Sequence, residues 1–188
     1  MNRRYAVLPL LLALSVPVTA RAQERQPEMC WPAHPKPRCS AFLVTNAGLY
    51  TSLAGDQAPV SAVFDGGFMV NVSQRDAVGV SYMGSIDNDN VAGPAIRYRR
   101  WLQQDASIDL ALGVPTTGAT GVLGLVKISP VNWVGLALRP SVLRFPYSTQ
   151  QRFVATAGLE LSGPPAVAMS ALGFLAVLIA FASSGGGD

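Results

Sequence analysis

The sequence predicts an all-β protein, an up-and-down antiparallel eight-stranded β-barrel followed by a C-terminal hydrophobic helix. Three observations predict this fold. Apolar and polar residues alternate along most of residues 41–162, the connections between these segments are short and long in turn, and a segment without charge follows at 164–182. A period of two is the pattern of a strand whose two faces meet different surroundings.

The first 22 residues have the pattern of a secretory signal peptide. Arg3 and Arg4 precede an apolar run, and the A-R-A sequence at 20–22 gives a cleavage site before Gln23. A transmembrane anchor is the alternative, but the run is short for a bilayer and a proline interrupts it. Cleavage removes three arginines and no acid, so the 14 basic and 11 acidic residues of the whole chain become 11 of each. This balance removes the support for a nucleic-acid partner.

Residues 23–40 form a Pro-rich segment that contains both cysteines. Because export delivers the chain to an oxidising compartment, we expect a Cys30–Cys39 disulfide that closes this segment. A metal site formed by Cys30, His34 and Cys39 is the alternative, although its spacing matches no common zinc pattern. We therefore expect neither a metal nor a cofactor.

Alternation is clearest in two parts of the chain. Residues 60–72 place Val60, Phe64 and Phe68 on one face, and residues 95–112 place Arg97 and Arg99 on the face opposite their apolar neighbours. Residues 95–112 supply two strands, which are joined by a short turn. Segments 77–86, 132–142 and 152–162 alternate in the same way, and segments 41–52 and 119–128, whose faces are less distinct, complete the eight strands.

The connections between the predicted strands alternate in length. The sequences SQRD, QQD and SPVN join strands two and three, four and five, and six and seven, and the other joins are longer. In a meander every second connection lies at the same end of the sheet. The tight turns and both ends of the strand region therefore share one rim, and the longer loops form the other rim.

The apolar face of the strands is expected to point outward. The second face is rich in glycine and alanine and carries few charges, so it would make a poor water-exposed surface. It suits the narrow interior of an eight-stranded barrel, whereas the Val, Leu, Phe and Tyr side chains suit lipid. The bilayer is therefore the expected surrounding. The alternative is a soluble barrel with an apolar interior.

The charges of the inward face predict an ion network. With a three-residue turn at 103–105, residues whose numbers sum to 208 pair across the hairpin, which places Arg99 opposite Asp109. Other charged residues fall on the same face of other strands. The expected network, which would fill the interior rather than open a pore, consists of Asp65, Arg97, Arg99, Asp109, Arg139 and Glu160.

With these features the chain resembles the small eight-stranded outer-membrane β-barrel proteins of bacteria. The resemblance covers residues 41–162, and it is carried by the alternating strands, the "GGFMVNVSQRDAVGVSY" hairpin, the "RYRRWL" strand and the loop asymmetry. It implies a location in the outer membrane. The chain departs from this class at "TAGLELSG", which lacks the usual terminal aromatic residue, and continues beyond the last strand.

The segment after the strands predicts a helix. Residues 166–182 carry no charge, and Pro164-Pro165 suit a helix start. Seventeen residues at about 1.5 Å each nearly span a bilayer core; a buried helix of a soluble domain is the alternative. We expect the helix to pack against the outside of the barrel through a seam of small residues, Ala166, Ser170, Gly173, Ala176 and Ala180. Residues 183–188 form a Gly-rich tail.

Signals for catalysis are weak. The single histidine, His34, precedes the strands, so no Ser-His or Asp-His site is expected inside the barrel. We expect a non-enzymatic outer-membrane barrel with a structural or surface-interaction role, whose loop 144–152 would contact an extracellular partner. The alternative is a periplasmic β-barrel that binds an apolar ligand and is anchored by its C-terminal helix.

Overall fold

A computed structural model describes residues 29–30, 36–54, 60–87 and 90–171 of the chain. The predicted signal peptide and the Gly-rich tail lie outside the described residues. The described part contains one helix, α1 (164–171), and nine strands: β1 (Met29–Cys30), β2 (Ala41–Ala54), β3 (Val60–Asn71), β4 (Asp76–Ile86), β5 (Ala92–Trp101), β6 (Ser107–Gly113), β7 (Thr120–Val131), β8 (Val134–Arg144) and β9 (Arg152–Ser162).

Strands β2 to β9 form a closed barrel. Each pairs antiparallel with the next, and β9 pairs with β2, which confirms the predicted eight-stranded up-and-down barrel. Paired residues followed around the barrel from Ala41 lead back to β2 at Thr51, ten residues further along. At about 3.3 Å per residue and about 4.8 Å between strands, this stagger tilts the strands by about 40° and gives a backbone radius of about 8 Å. The interior therefore has room only for side chains.

The exterior of the barrel is apolar on every strand. Ile96 on β5 is 67% exposed and Leu136 on β8 is 62% exposed. The residues between them in the alternation point inward and are buried, as Gly135, Ala137 and Arg139 are on β8. The faces of these strands are thus assigned as the sequence predicted, with the apolar face outside and the face that carries the charges inside.

The stagger leaves the first residues of β2 without a partner on β9, because Ser162 at the end of β9 pairs with Asn46. Strand β1 occupies this edge and pairs parallel with Ala41 and Phe42. The Cys30–Cys39 disulfide, with Cα atoms 5.4 Å apart, holds β1 there and confirms the predicted bond. Covering an open strand edge prevents pairing with another chain.

One turn differs from its prediction. The connection between β7 and β8 is residues 132–133 rather than 129–132, because Ser129 remains paired with Ser107 on β6. Pro130 follows within β7, where the pairing with β8 shifts in register, as expected for a residue that cannot donate a backbone hydrogen bond. The other connections at this rim are residues 72–75 and 102–106.

Helix α1 begins directly after the barrel closes. Gly163, with φ of 67°, supplies the left-handed conformation between β9 and the helix, and its amide donates to Thr45 O at 2.9 Å. Ala166 is buried, as the predicted seam requires, but Ser170 is exposed. The two residues lie about 40° apart around the helix, and the described part contains no other residue of the predicted seam.

The rest of the predicted helix, including Gly173, Ala176 and Ala180, lies outside the described residues. Within the part of the chain that the structure describes, no helix has the length and apolar character needed to cross a membrane.

Candidate functional site

The barrel interior holds all six residues of the predicted ion network. Their side chains come from five different strands and meet because each occupies an inward position of the two-residue alternation. Their residue exposures are at most 8%. The six are Asp65 on β3, Arg97 and Arg99 on β5, Asp109 on β6, Arg139 on β8 and Glu160 on β9. Charges buried this deeply are tolerated only when they are paired.

The central part of the network is a chain of alternating charges. Asp65 accepts from Arg97 Nη2 at 3.0 Å and from Arg139 Nη2 at 2.7 Å. Arg139 Nη2 also lies 2.9 Å from Glu160 Oε1. Two carboxylates and two guanidinium groups from four strands are therefore connected across the interior.

Arg99 and Asp109 form a second pair, nearer the short-turn rim. They are direct partners in the β5–β6 register, as the sequence predicted. Arg99 Nε and Nη2 donate to the two carboxylate oxygens of Asp109 at 2.5 and 2.7 Å, a bidentate pair. The guanidinium also lies over the rings of Phe42 and Trp101, at 5.3 and 5.1 Å from their centroids.

The most deeply buried cation among the described residues, Lys127 on β7, was not among the predicted interior charges. Its Nζ lies 3.0 Å from Glu160 Oε2 and donates to Asn46 Oδ1 at 3.0 Å and to Ser162 Oγ at 2.7 Å. The Tyr50 hydroxyl donates to Glu160 Oε1 at 2.5 Å. The position of Lys127 between Val126 and Ile128 was the signal that could have identified it, because this alternation matches that of the recognised inward residues.

Two glycines make room for this cluster. Glu160 is flanked in the sheet by Gly48 on β2 and Gly135 on β8. A methyl group on Gly135 would lie 2.5 Å from Lys127 Cε, and one on Gly48 would lie 3.1 Å from Glu160 Cγ. The absence of side chains at both neighbours lets the glutamate and the lysine meet without displacing the sheet.

Apolar layers lie on both sides of the charged layer. At the short-turn side, Phe42, Met69 and Trp101 pack together and are at most 3% exposed. At the loop side, the buried cluster includes Val63, Leu123 and Leu143. A cavity of about 40 Å³ enters from the loop side and ends at Arg139; it is also lined by Ser61, Ser85, Asp87, Ser141 and Thr156. The sequence did not predict this layering.

In the part of the chain that the structure describes, the interior contains four cations and three carboxylates, and each carboxylate has a cationic partner within 3.0 Å. Among the described residues, no group of three His, Cys, Asp or Glu side chains could hold a metal ion. His34 lies outside the described residues, and the two cysteines of the alternative metal site are joined to each other.

Fold and interior together define a closed eight-stranded antiparallel barrel with an apolar exterior and an ion-paired interior. Comparison with protein-family models, with curated proteins and with solved structures finds no match to this chain.

Proposed function

We propose that the protein is a non-enzymatic outer-membrane β-barrel with a structural or surface-interaction role and a plugged, ion-paired interior. One observation carries the proposal, namely the inverted distribution of side chains. Leu49, Ile96 and Leu136 are more than 60% exposed, whereas Asp109, Lys127 and Glu160 are fully buried. An apolar exterior of this extent favours aggregation in water but is the ordinary surface of a barrel in lipid.

The height of the apolar surface supports the same proposal. On β2 the outward positions run from Leu43 to Leu53, ten residues apart. Ten residues cover about 33 Å along the strand, and a tilt of about 40° reduces this to about 25 Å along the barrel axis. The apolar band of outer-membrane barrels is about 25 Å tall. Strand β2 is thus long enough to cross the outer membrane once.

The packing of the interior supports a structural role rather than a pore. The layer of Phe42, Met69 and Trp101 covers the charged layer at the short-turn side. The cavity that enters from the loop side, of about 40 Å³, has room for about one or two water molecules. The carboxylates that acid–base chemistry would use are engaged in ion pairs with buried cations.

The alternative, a periplasmic barrel for an apolar ligand, has less support. Such a barrel needs an apolar cavity large enough for its ligand, of the order of 300 Å³ or more. The described interior cavity is far smaller, and an arginine and several hydroxyl groups line it. Many large aliphatic side chains, including Ile96 and Leu136, lie on the exterior instead.

Envelope fractionation tests the location. The full-length protein, expressed in a Gram-negative host, is expected to band with outer-membrane markers on a density gradient and to migrate as a heat-modifiable barrel. Recovery with the inner membrane or in the soluble periplasm would contradict the proposal and favour the anchored alternative.

Planar-bilayer recording tests the plugged interior. The purified barrel is expected to insert without producing step increases in conductance, because paired charges and aromatic rings fill its cross-section. Stable conductance steps from the folded form would show that the interior is open.

A further inference from the structure

The loop-side rim carries a second groove, separate from the charged interior. It lies between the connections 114–119 and 145–151, which are neighbours because β7 and β8 pair up to Thr120 and Arg144. Its volume is about 650 Å³, within the range of small-ligand sites. If the proposed function is correct, this groove faces the outside of the cell, and the inference below depends on that orientation for its biological meaning.

An aromatic platform forms one wall of the groove. Tyr147 is 71% exposed, although its ring stacks on the buried Phe145 with 5.5 Å between centroids and 9° between planes. The buried ring fixes the orientation of the exposed one. Tyr147 therefore presents a flat apolar surface at low entropic cost to a ligand, an arrangement common among recognition residues.

The groove also contains several hydroxyl groups and one basic side chain. The Thr116 hydroxyl donates to Ala92 O at 3.3 Å and lies 3.4 Å from the Tyr82 hydroxyl. The Thr117 hydroxyl donates to Asn90 O at 3.2 Å. Because a hydroxyl oxygen has two lone pairs, each threonine retains at least one to accept from a ligand. Arg144 is exposed and forms no ion pair with any described acid. No acidic side chain occurs among the described residues that line the groove.

We propose that this groove binds an acidic sugar unit of a glycan. The C–H face of a pyranose would stack on Tyr147, and its carboxylate or phosphate would pair with Arg144. Its hydroxyl groups would donate to the threonine oxygens.

Binding can be measured with the full-length barrel in nanodiscs. The first probe is a soluble trimer of α-1,4-linked galacturonic acid, with the neutral galactose trimer as its control. The second probe is a phosphorylated disaccharide glycolipid placed in the nanodisc. Binding of the soluble probe would indicate a free polysaccharide as the ligand, and binding of the glycolipid alone would indicate a sugar of the same membrane.

Two groove variants and two controls test the assignment. Tyr147→Ala and Arg144→Gln are each expected to weaken binding by about tenfold or more, whereas Tyr147→Phe keeps the ring and is expected to bind almost normally. Arg100→Gln changes an exposed arginine at the opposite rim and should leave binding unchanged. Heat-modifiable migration confirms that each variant is folded.

The proposal would be overturned if neither acidic probe bound, if the neutral trimer bound equally well, or if Tyr147→Ala and Arg144→Gln bound like the parent. In the last case Tyr147 would be an anchor among lipid headgroups. Because nanodisc binding does not depend on cellular location, its failure would leave the outer-membrane proposal standing. A protein that bound the sugar but fractionated elsewhere would contradict only that earlier proposal.

Discussion

Arg99 and Arg100 are adjacent in the chain, but they are expected to differ sharply in their importance for stability. Arg99→Ala removes both hydrogen bonds to Asp109 and leaves a fully buried carboxylate without its bidentate partner. Removing one member of a buried ion pair costs about 3–5 kcal/mol. Arg100 is exposed and pairs with the accessible Asp76 at 3.3 Å, so Arg100→Ala should unfold like the parent.

Urea unfolding of the reconstituted barrel measures this difference. With a denaturant slope of about 2 kcal/mol/M, the loss in Arg99→Ala corresponds to a midpoint lower by about 1.5–2.5 M. The double variant Arg99→Ala/Asp109→Ala contains no stranded charge and should be more stable than Arg99→Ala alone. Equal midpoints for Arg99→Ala and Arg100→Ala, or no recovery in the double variant, would refute the assignment of Arg99 to the interior.

Three further predictions use other parts of the molecule. Gly135→Ala should destabilise the barrel because the methyl group meets the buried lysine, whereas Gly66→Ala enters open space and should raise stability by about 0.4–1 kcal/mol; equal urea midpoints would contradict this. Mass spectrometry of protein from the envelope should find a cleaved N-terminus and the Cys30–Cys39 disulfide, and an intact Met1 would defeat the signal-peptide prediction. A chain lacking 164–188 should still show heat-modifiable migration, because β9 already closes the barrel on β2; loss of the folded band would assign the tail a role in assembly.

Much of the fold could be predicted because the alternation within each strand is the one that a closed barrel requires. Alternation alone decides which face of each strand points inward, and the short turn at 103–105 fixes the register that pairs Arg99 with Asp109. The six predicted interior charges needed no further information. Each follows from its position in a strand and from the poor fit of a Gly/Ala face to water.

The features that the sequence did not predict depend on contacts between segments that are distant in the chain. Lys127 meets Glu160 and Asn46 only because the barrel closes with a stagger of ten residues, and no local pattern contains that stagger. The same stagger leaves the edge that β1 covers. The exposure of Ser170 depends on how helix α1 leaves Gly163, which the spacing of small residues does not determine.

Spin labelling tests most directly whether the outward face of the barrel contacts lipid or water. The native cysteines are joined, so single cysteines introduced along β8 can be spin-labelled selectively in reconstituted bilayers. Labels at Leu136, Leu138 and Val142 are expected to be accessible to oxygen dissolved in lipid and shielded from an aqueous nickel chelate. Labels at the inward positions Ala137 and Ser141 should be shielded from lipid oxygen. Access of the nickel chelate to Leu136, Leu138 and Val142 would contradict the central claim that this face contacts lipid.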